Sequence, residues 1–170
     1  MQETQKLTSA AISKMIRNLN EEKELILTQE FNSSVYDEVQ GYQVIIPDYS
    51  FQNTQEMLEQ IDEEVRKLKH ALNMLNTGTR LEHFNMTVDE ALVYMAQLNS
   101  RKQVLDEMRK RPQKSRKKHH GYGDVTNLVE YTCANYDIEE ADRKYRELQR
   151  TINQLQMDID YINQTKRVDV

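Results

Sequence analysis

Between Asp137 and Gln164 the apolar residues Ile138, Ala141, Tyr145, Leu148, Ile152, Leu155, Ile159 and Ile162 follow one another at alternating spacings of three and four. That is a heptad seam. Nearly everything between these positions is charged or an amide, so the stripe is narrow and suits a coiled coil better than a helix lying on a broad core. About 28 residues at a 1.5 Å rise make a rod of roughly 42 Å. Asp137 followed by Glu140 is a capping-box-like start, and Glu139 before Arg143, Glu140 before Lys144 and Asp142 before Arg146 are i,i+4 pairs in the favourable order.

Three further helices are predicted from the same period. From Leu7 to about residue 35, Ile12, Ile16, Leu19 and Ile26 keep it, with Lys23 and Glu30 standing where aliphatic residues belong. Polar seam residues fix register or oligomer state. Asn53 with Glu56 begins a helix over 53–77 with the seam Leu58, Ile61, Val65, Leu68, Leu72, Leu75, stopped by Gly78. Thr87 with Glu90 is a capping box for a helix over 87–111, whose seam Val88, Ala91, Met95, Leu98, Leu105 is interrupted by Lys102 and which ends before Pro112. The last helix covers 137–165.

The links between them carry β signals. Gly41 reads as a turn and Val44 to Pro47 as a short strand; Arg80 to Phe84 reads as extended, Val125 to Tyr136 is rich in Val, Thr and Tyr, and Val168 to Val170 is one more candidate strand. The expected architecture is mainly α: long antiparallel helical hairpins in a coiled-coil, four-helix up-down arrangement, with short strands at the hairpin tips. The strands near Val44 and Val129 should then pair as a cap, and Arg80 to Phe84 should meet the C-terminal tail. One elongated domain over 1–170 is predicted.

Composition narrows the function. With 38% hydrophobic residues, four Gly and no Trp, a large globular core is not expected, and the single Cys133 has no disulfide partner in the chain. No apolar run approaches the roughly 18 residues of a membrane span. The opening MQETQKL has neither a basic nor an apolar leader region, so a cytoplasmic protein is expected. Net charge is only −5, but Arg109 to His120 holds seven Lys or Arg and no acid, which leaves −5 − 7 = −12 on the remainder. The charge is segregated.

The stretch Asn76-Thr77-Gly78-Thr79-Arg80-Leu81, the following Thr87-Val88-Asp89-Glu90-Ala91-Leu92 and the late Ile152 to Asn163 segment are similar in order to the septicolysin-like family of uncharacterised bacterial proteins. The resemblance covers roughly residues 53–165. It implies a helical, coiled-coil-like fold and, by the family's attributed character, a lytic protein; it supplies no catalytic residue.

The strongest candidate for chemistry is the basic link 109–120. Arg109, Lys110, Arg111, Lys114, Arg116, Lys117 and Lys118 could neutralise phosphates, with Tyr122 and Tyr131 as stacking faces and Tyr136, Tyr36, Tyr42 and Tyr49 expected nearby. The other readings are a solvated loop that offsets the acidic rods or docks an acidic neighbour, and an anionic membrane surface. His119 and His120 are adjacent and point apart in an extended chain, and no Cys/His set has ligand spacing, so neither a metal nor another cofactor is expected. Carboxylate pairs such as Asp158 and Asp160 lie on different sides of a narrow rod without a pocket, and there is no Gly-rich phosphate loop. An enzyme is not expected.

The sequence therefore predicts a non-catalytic structural or interaction protein that self-associates as a homo-oligomer through Ile138, Tyr145, Leu148, Ile152, Leu155, Ile159 and Ile162. A further protein partner is conceivable, nucleic acid binding through the basic Tyr-rich tip is the alternative, and membrane insertion is not expected.

Overall fold

A computed structural model describes residues 5–117 and 129–170. The protein is mainly helical with a few short strands, in the order β1 (Lys6–Thr8), α1 (Ser9–Ser33), α2 (Phe51–Gly78), α3 (Val88–Arg109), β2 (Lys114–Arg116), β3 (Tyr131–Cys133), α4 (Ile138–Thr165) and β4 (Arg167–Asp169). These elements form two compact units: residues 1–80 with 160–170, and residues 81–159.

In the first unit α1 packs on α2 along the predicted seams. Ile26, late in α1, meets Leu58, Ile61 and Val65, whereas Ile12, early in α1, meets Leu68 and Ala71. The two helices therefore run antiparallel. Both polar seam residues have partners: Lys23 Nζ lies 2.6 Å from Asp62 Oδ1, and Glu30 Oε1 accepts from Tyr49 Oη at 2.8 Å and Gln55 Nε2 at 2.9 Å. Each polar interruption of one helix thus meets a polar group that leaves no buried atom unsatisfied.

α1 starts later than its period predicts. Leu7 lies in β1, which pairs antiparallel with β4 in the register Lys6↔Asp169, Leu7↔Val168, Thr8↔Arg167. Thr8 then caps the helix, its Oγ1 accepting from Ala11 N at 3.2 Å. Leu7 and Val168 close the apolar cluster around Ile12, which is why the C-terminal tail pairs here rather than with Arg80 to Phe84.

The link 34–50 forms no strand. Val39 to Tyr42 is a turn, with Tyr42 N donating to Val39 O at 3.1 Å and Gly41 at φ 89°, the positive φ that a type II turn demands at its third residue. Among the described residues Val44 to Pro47 has no ladder partner, because β3 is taken by β2, in the register Lys114↔Cys133, Ser115↔Thr132, Arg116↔Tyr131. That pairing closes a much shorter stretch of chain than one between Val44 and Val129, and so loses less entropy. Part of the basic link is therefore strand.

In the second unit, residues 82–85 turn instead of extending. Leu81 N donates to Met86 O at 2.9 Å and Asn85 takes φ 47°, a left-handed conformation Asn tolerates. The turn buries Leu81 and Val88, at 2% and 1% exposure, at the head of α3. Thr87 forms the predicted capping box with Glu90, and Asp137 Oδ1 accepts from Glu139 N at 2.8 Å to open α4. Three contacts, His83 with Asp158, Lys102 with Gln149 and Arg109 with Asp142, join α4 residues to the region from the turn to the end of α3 in reversed order, as antiparallel neighbours must.

Candidate interaction surfaces

Only part of the basic cluster faces solvent without a partner. At the end of α3, Arg109 donates from Nε to Asp106 Oδ1 at 2.8 Å and from Nη1 to Asp142 Oδ1 at 3.3 Å, and its guanidinium carbon lies 4.1 Å from the centre of the Tyr145 ring. Hydrogen bonding to Asp106 is the main reason its pKa is raised further. Lys110 also binds Asp106, and hydrogen bonds from Lys110 first and Arg109 second lower that carboxyl below the ordinary aspartate value. Tyr136 Oη donates to Met108 O at 2.8 Å, fixing the entry to α4 beside the end of α3. These two cations serve the helix junction.

Beyond Pro112 the chain enters the β2–β3 ribbon. Lys117 Nζ pairs with Glu130 at 3.0 Å, and Lys114 Nζ stands 4.1 Å from the centre of the Tyr131 ring, a diagonal cross-strand cation–π contact. Arg111, Lys114 and Arg116 have no carboxylate partner among the described residues. Lys118, Tyr122, His119 and His120 lie outside the described residues. The predicted stretch of seven cations is thus brought together in part, with Arg109, Lys110 and Lys117 neutralised within the chain. Tyr36, Tyr42 and Tyr49 belong to the other unit.

The α4 seam is not a free surface. Leu148, Ile152, Leu155, Ile159 and Ile162 are buried and Ile138 and Tyr145 are half-buried within the single chain. Contacts inside the chain already use the apolar face on which association between subunits was expected. Uncovered apolar surface lies elsewhere: among the described residues, eleven of the twenty exposed large apolar side chains fall between Leu25 and Met57. Phe31, Val35, Val39, Tyr42, Ile45, Ile46 and Phe51, from the end of α1 to the start of α2, are 61% to 92% exposed. Phe51 sits seven residues before Leu58, so it continues the α2 seam past the point where Glu30, Tyr49 and Gln55 close it.

The same stretch has a second property that heptad reasoning passes over. From Glu24 to Val65 there are ten Asp or Glu and no Lys, Arg or His, so this segment carries −10 while the whole chain carries −5. The signal was present in the sequence as a 42-residue gap between Lys23 and Arg66 without a cation.

Among the described residues no group of three or more His, Cys, Asp or Glu is disposed to hold a metal ion, and no helix is long and apolar enough to cross a membrane. No family model matches the sequence, and no curated protein does. A solved structure is similar to it: the crystal structure of a functionally unknown conserved protein from Corynebacterium diphtheriae, with a TM-score of 0.64 over 96% of this chain and 99% of that one, at 15% identity. The likeness is one of fold. It extends over both units.

Proposed function

We propose that this protein is a non-catalytic helical scaffold of the cytoplasm, built as long antiparallel coiled-coil hairpins, that self-associates and acts through protein contacts. The supporting observation is the uncovered apolar surface from the end of α1 through the 34–50 link to the start of α2. Counting Tyr36 with those seven residues, and taking roughly 100 to 150 Å² for each, it amounts to about 800 to 1,200 Å². Single chains rarely expose a patch above roughly 300 to 600 Å², and about 800 Å² is one partner's share of a standard interface. Water contact with that much apolar surface is unfavourable by roughly 25 cal/mol per Å², which association relieves.

Light scattering coupled to size exclusion tests this directly. At micromolar concentration the mass should be a multiple of 20.2 kDa. A monomer across the accessible concentration range would remove the reading. Ile45→Asp with Phe51→Asp should lower the mass to that of one chain while leaving the helical signal intact, because both side chains are exposed within the chain.

A further inference from the structure

We infer that the acidic apolar surface around residues 30–51 of one copy is occupied by the basic β2–β3 ribbon of a second copy. The inference rests on the self-association proposed above and names the surfaces that meet. Two observations carry it. The first is the area of uncovered apolar side chains, which is of the size one partner contributes to a stable interface. The second is charge. The segment 24–65 carries ten carboxylates and no cation, and only Asp62 of these is paired with a lysine, Lys23 from outside the segment, among long-range contacts. Asp37, Glu38 and Asp48, which flank Val39, Ile45 and Ile46, are exposed and have no cationic partner among the described residues.

Such a surface cannot readily bury itself against its own copy. Two of them face to face would bring Glu30, Asp37, Glu38 and Asp48 against the same four carboxylates in a contact that also excludes water, and like charges juxtaposed at an interface cost several kcal/mol. The same acidity repels phosphate backbones and anionic lipid. What fits is a surface with cations and a flat apolar face. The ribbon has both: Arg111, Lys114 and Arg116 lack carboxylate partners, and Tyr131, half-exposed, presents a ring beside Lys114. Side chains on a two-stranded ribbon stand clear of the backbone, so Arg116 and Lys114, two residues apart, project from the same face. Because the donor and acceptor surfaces differ and each copy carries both, the contact either closes as a reciprocal two-fold pair or, if heterologous, forms a ring or propagates.

The test uses charge reversal on the full chain. Lys114→Glu with Arg116→Glu and, separately, Asp37→Lys with Asp48→Lys should each weaken self-association by on the order of tenfold or more, with unchanged helicity, since all four side chains are exposed. Combining all four changes in one chain should restore it. Wild-type association should also weaken by on the order of tenfold between 50 and 500 mM NaCl, as the Debye length shrinks from about 14 to 4 Å. A salt-insensitive oligomer indifferent to all four reversals would overturn this inference and leave the self-association reading standing; a monomeric wild type would overturn both. If the Lys114→Glu with Arg116→Glu variant instead assembles normally and loses only its affinity for a single-stranded RNA probe, the ribbon serves nucleic acid and the inference is overturned.

Discussion

Lys23 of α1 reaches Asp62 of α2 with Nζ 2.6 Å from Oδ1, at a seam position where the heptad period calls for an aliphatic side chain. Lys23 retains 30% and Asp62 44% of their side-chain exposure, so the pair is a partly solvated one. Pairs of that kind contribute about 0 to 1 kcal/mol, and polar seam residues act mainly on register. Lys23→Leu should therefore leave stability level or raise it, as measured by urea unfolding, while permitting alternative pairings of α1. In a Cys133→Ser background, the yield of the α1–α2 cross-link between cysteines introduced at Ser13 and Lys69 should fall in the Lys23→Leu variant. A clear loss of stability in that variant would refute the register role.

The apolar residues divide into two classes that separate stability from assembly. Leu68 and Leu155 are buried to 1% and 0% exposure, so either residue changed to Ala should cost about 2 to 5 kcal/mol in denaturant unfolding. Leu148→Lys with Leu155→Lys should unfold the chain itself, since both positions are covered within it. Ile45, at 92% exposure, should tolerate Ala with less than about 0.5 kcal/mol of change in stability. An unfolding midpoint that moves as far for Ile45→Ala as for Leu68→Ala would show that this separation is wrong.

Thr87 and Glu90 form a reciprocal cap: Thr87 Oγ1 accepts from Glu90 N at 3.2 Å, and Glu90 Oε2 accepts from Thr87 N at 2.6 Å. Thr87→Ala removes one acceptor from the first turn of α3 and should cost about 1 kcal/mol. Thr87→Ser should restore most of it. Amide exchange should show the loss first at Glu90, whose N–H loses its acceptor, while α1 and α2 keep their protection.

What was legible in the sequence follows from locality. Helix periods, the capping box at Thr87 and Glu90 and the stop at Pro112 depend on residues within a few positions of one another, and α2, α3 and α4 lie within about two residues of their expected bounds. Strand pairing is decided by partners far along the chain. Val44 to Pro47 has strand propensity but no partner, whereas Lys114 to Arg116, which has little, is recruited by Tyr131 to Cys133. Leu7 belongs by period to α1 and by structure to β1, because Val168, 161 positions away, completes its pairing. For the candidate surfaces, the cations of 109–117 are visible as composition, but the neutralisation of Arg109, Lys110 and Lys117 by Asp106, Asp142 and Glu130 needs the folded helix junction and ribbon. The heptad period identifies the α4 seam; that its apolar face is filled within the chain is a fact of tertiary packing.

The Asp106 cluster makes a prediction about acid. Hydrogen bonds from Lys110 and then Arg109 hold the Asp106 carboxyl below the ordinary aspartate range in the folded protein. A depressed folded-state pKa contributes stability that is fully present above the unfolded value of about 4 and disappears as pH falls through the folded value. Asp106→Asn deletes that contribution and leaves Lys110 without its anion, while Arg109 keeps Asp142. Urea midpoints for the wild type and Asp106→Asn should therefore differ at pH 7, keep that separation until the pH nears the unfolded aspartate value of about 4, and converge as it falls further. Glu63, lowered chiefly by its hydrogen bond from Lys67, titrates in the same acid region in both proteins and so cancels in the comparison. Midpoints that converge on raising the pH instead, or a gap that does not narrow as the pH falls below the unfolded aspartate value, would show that the ion cluster does not couple Asp106 ionisation to folding.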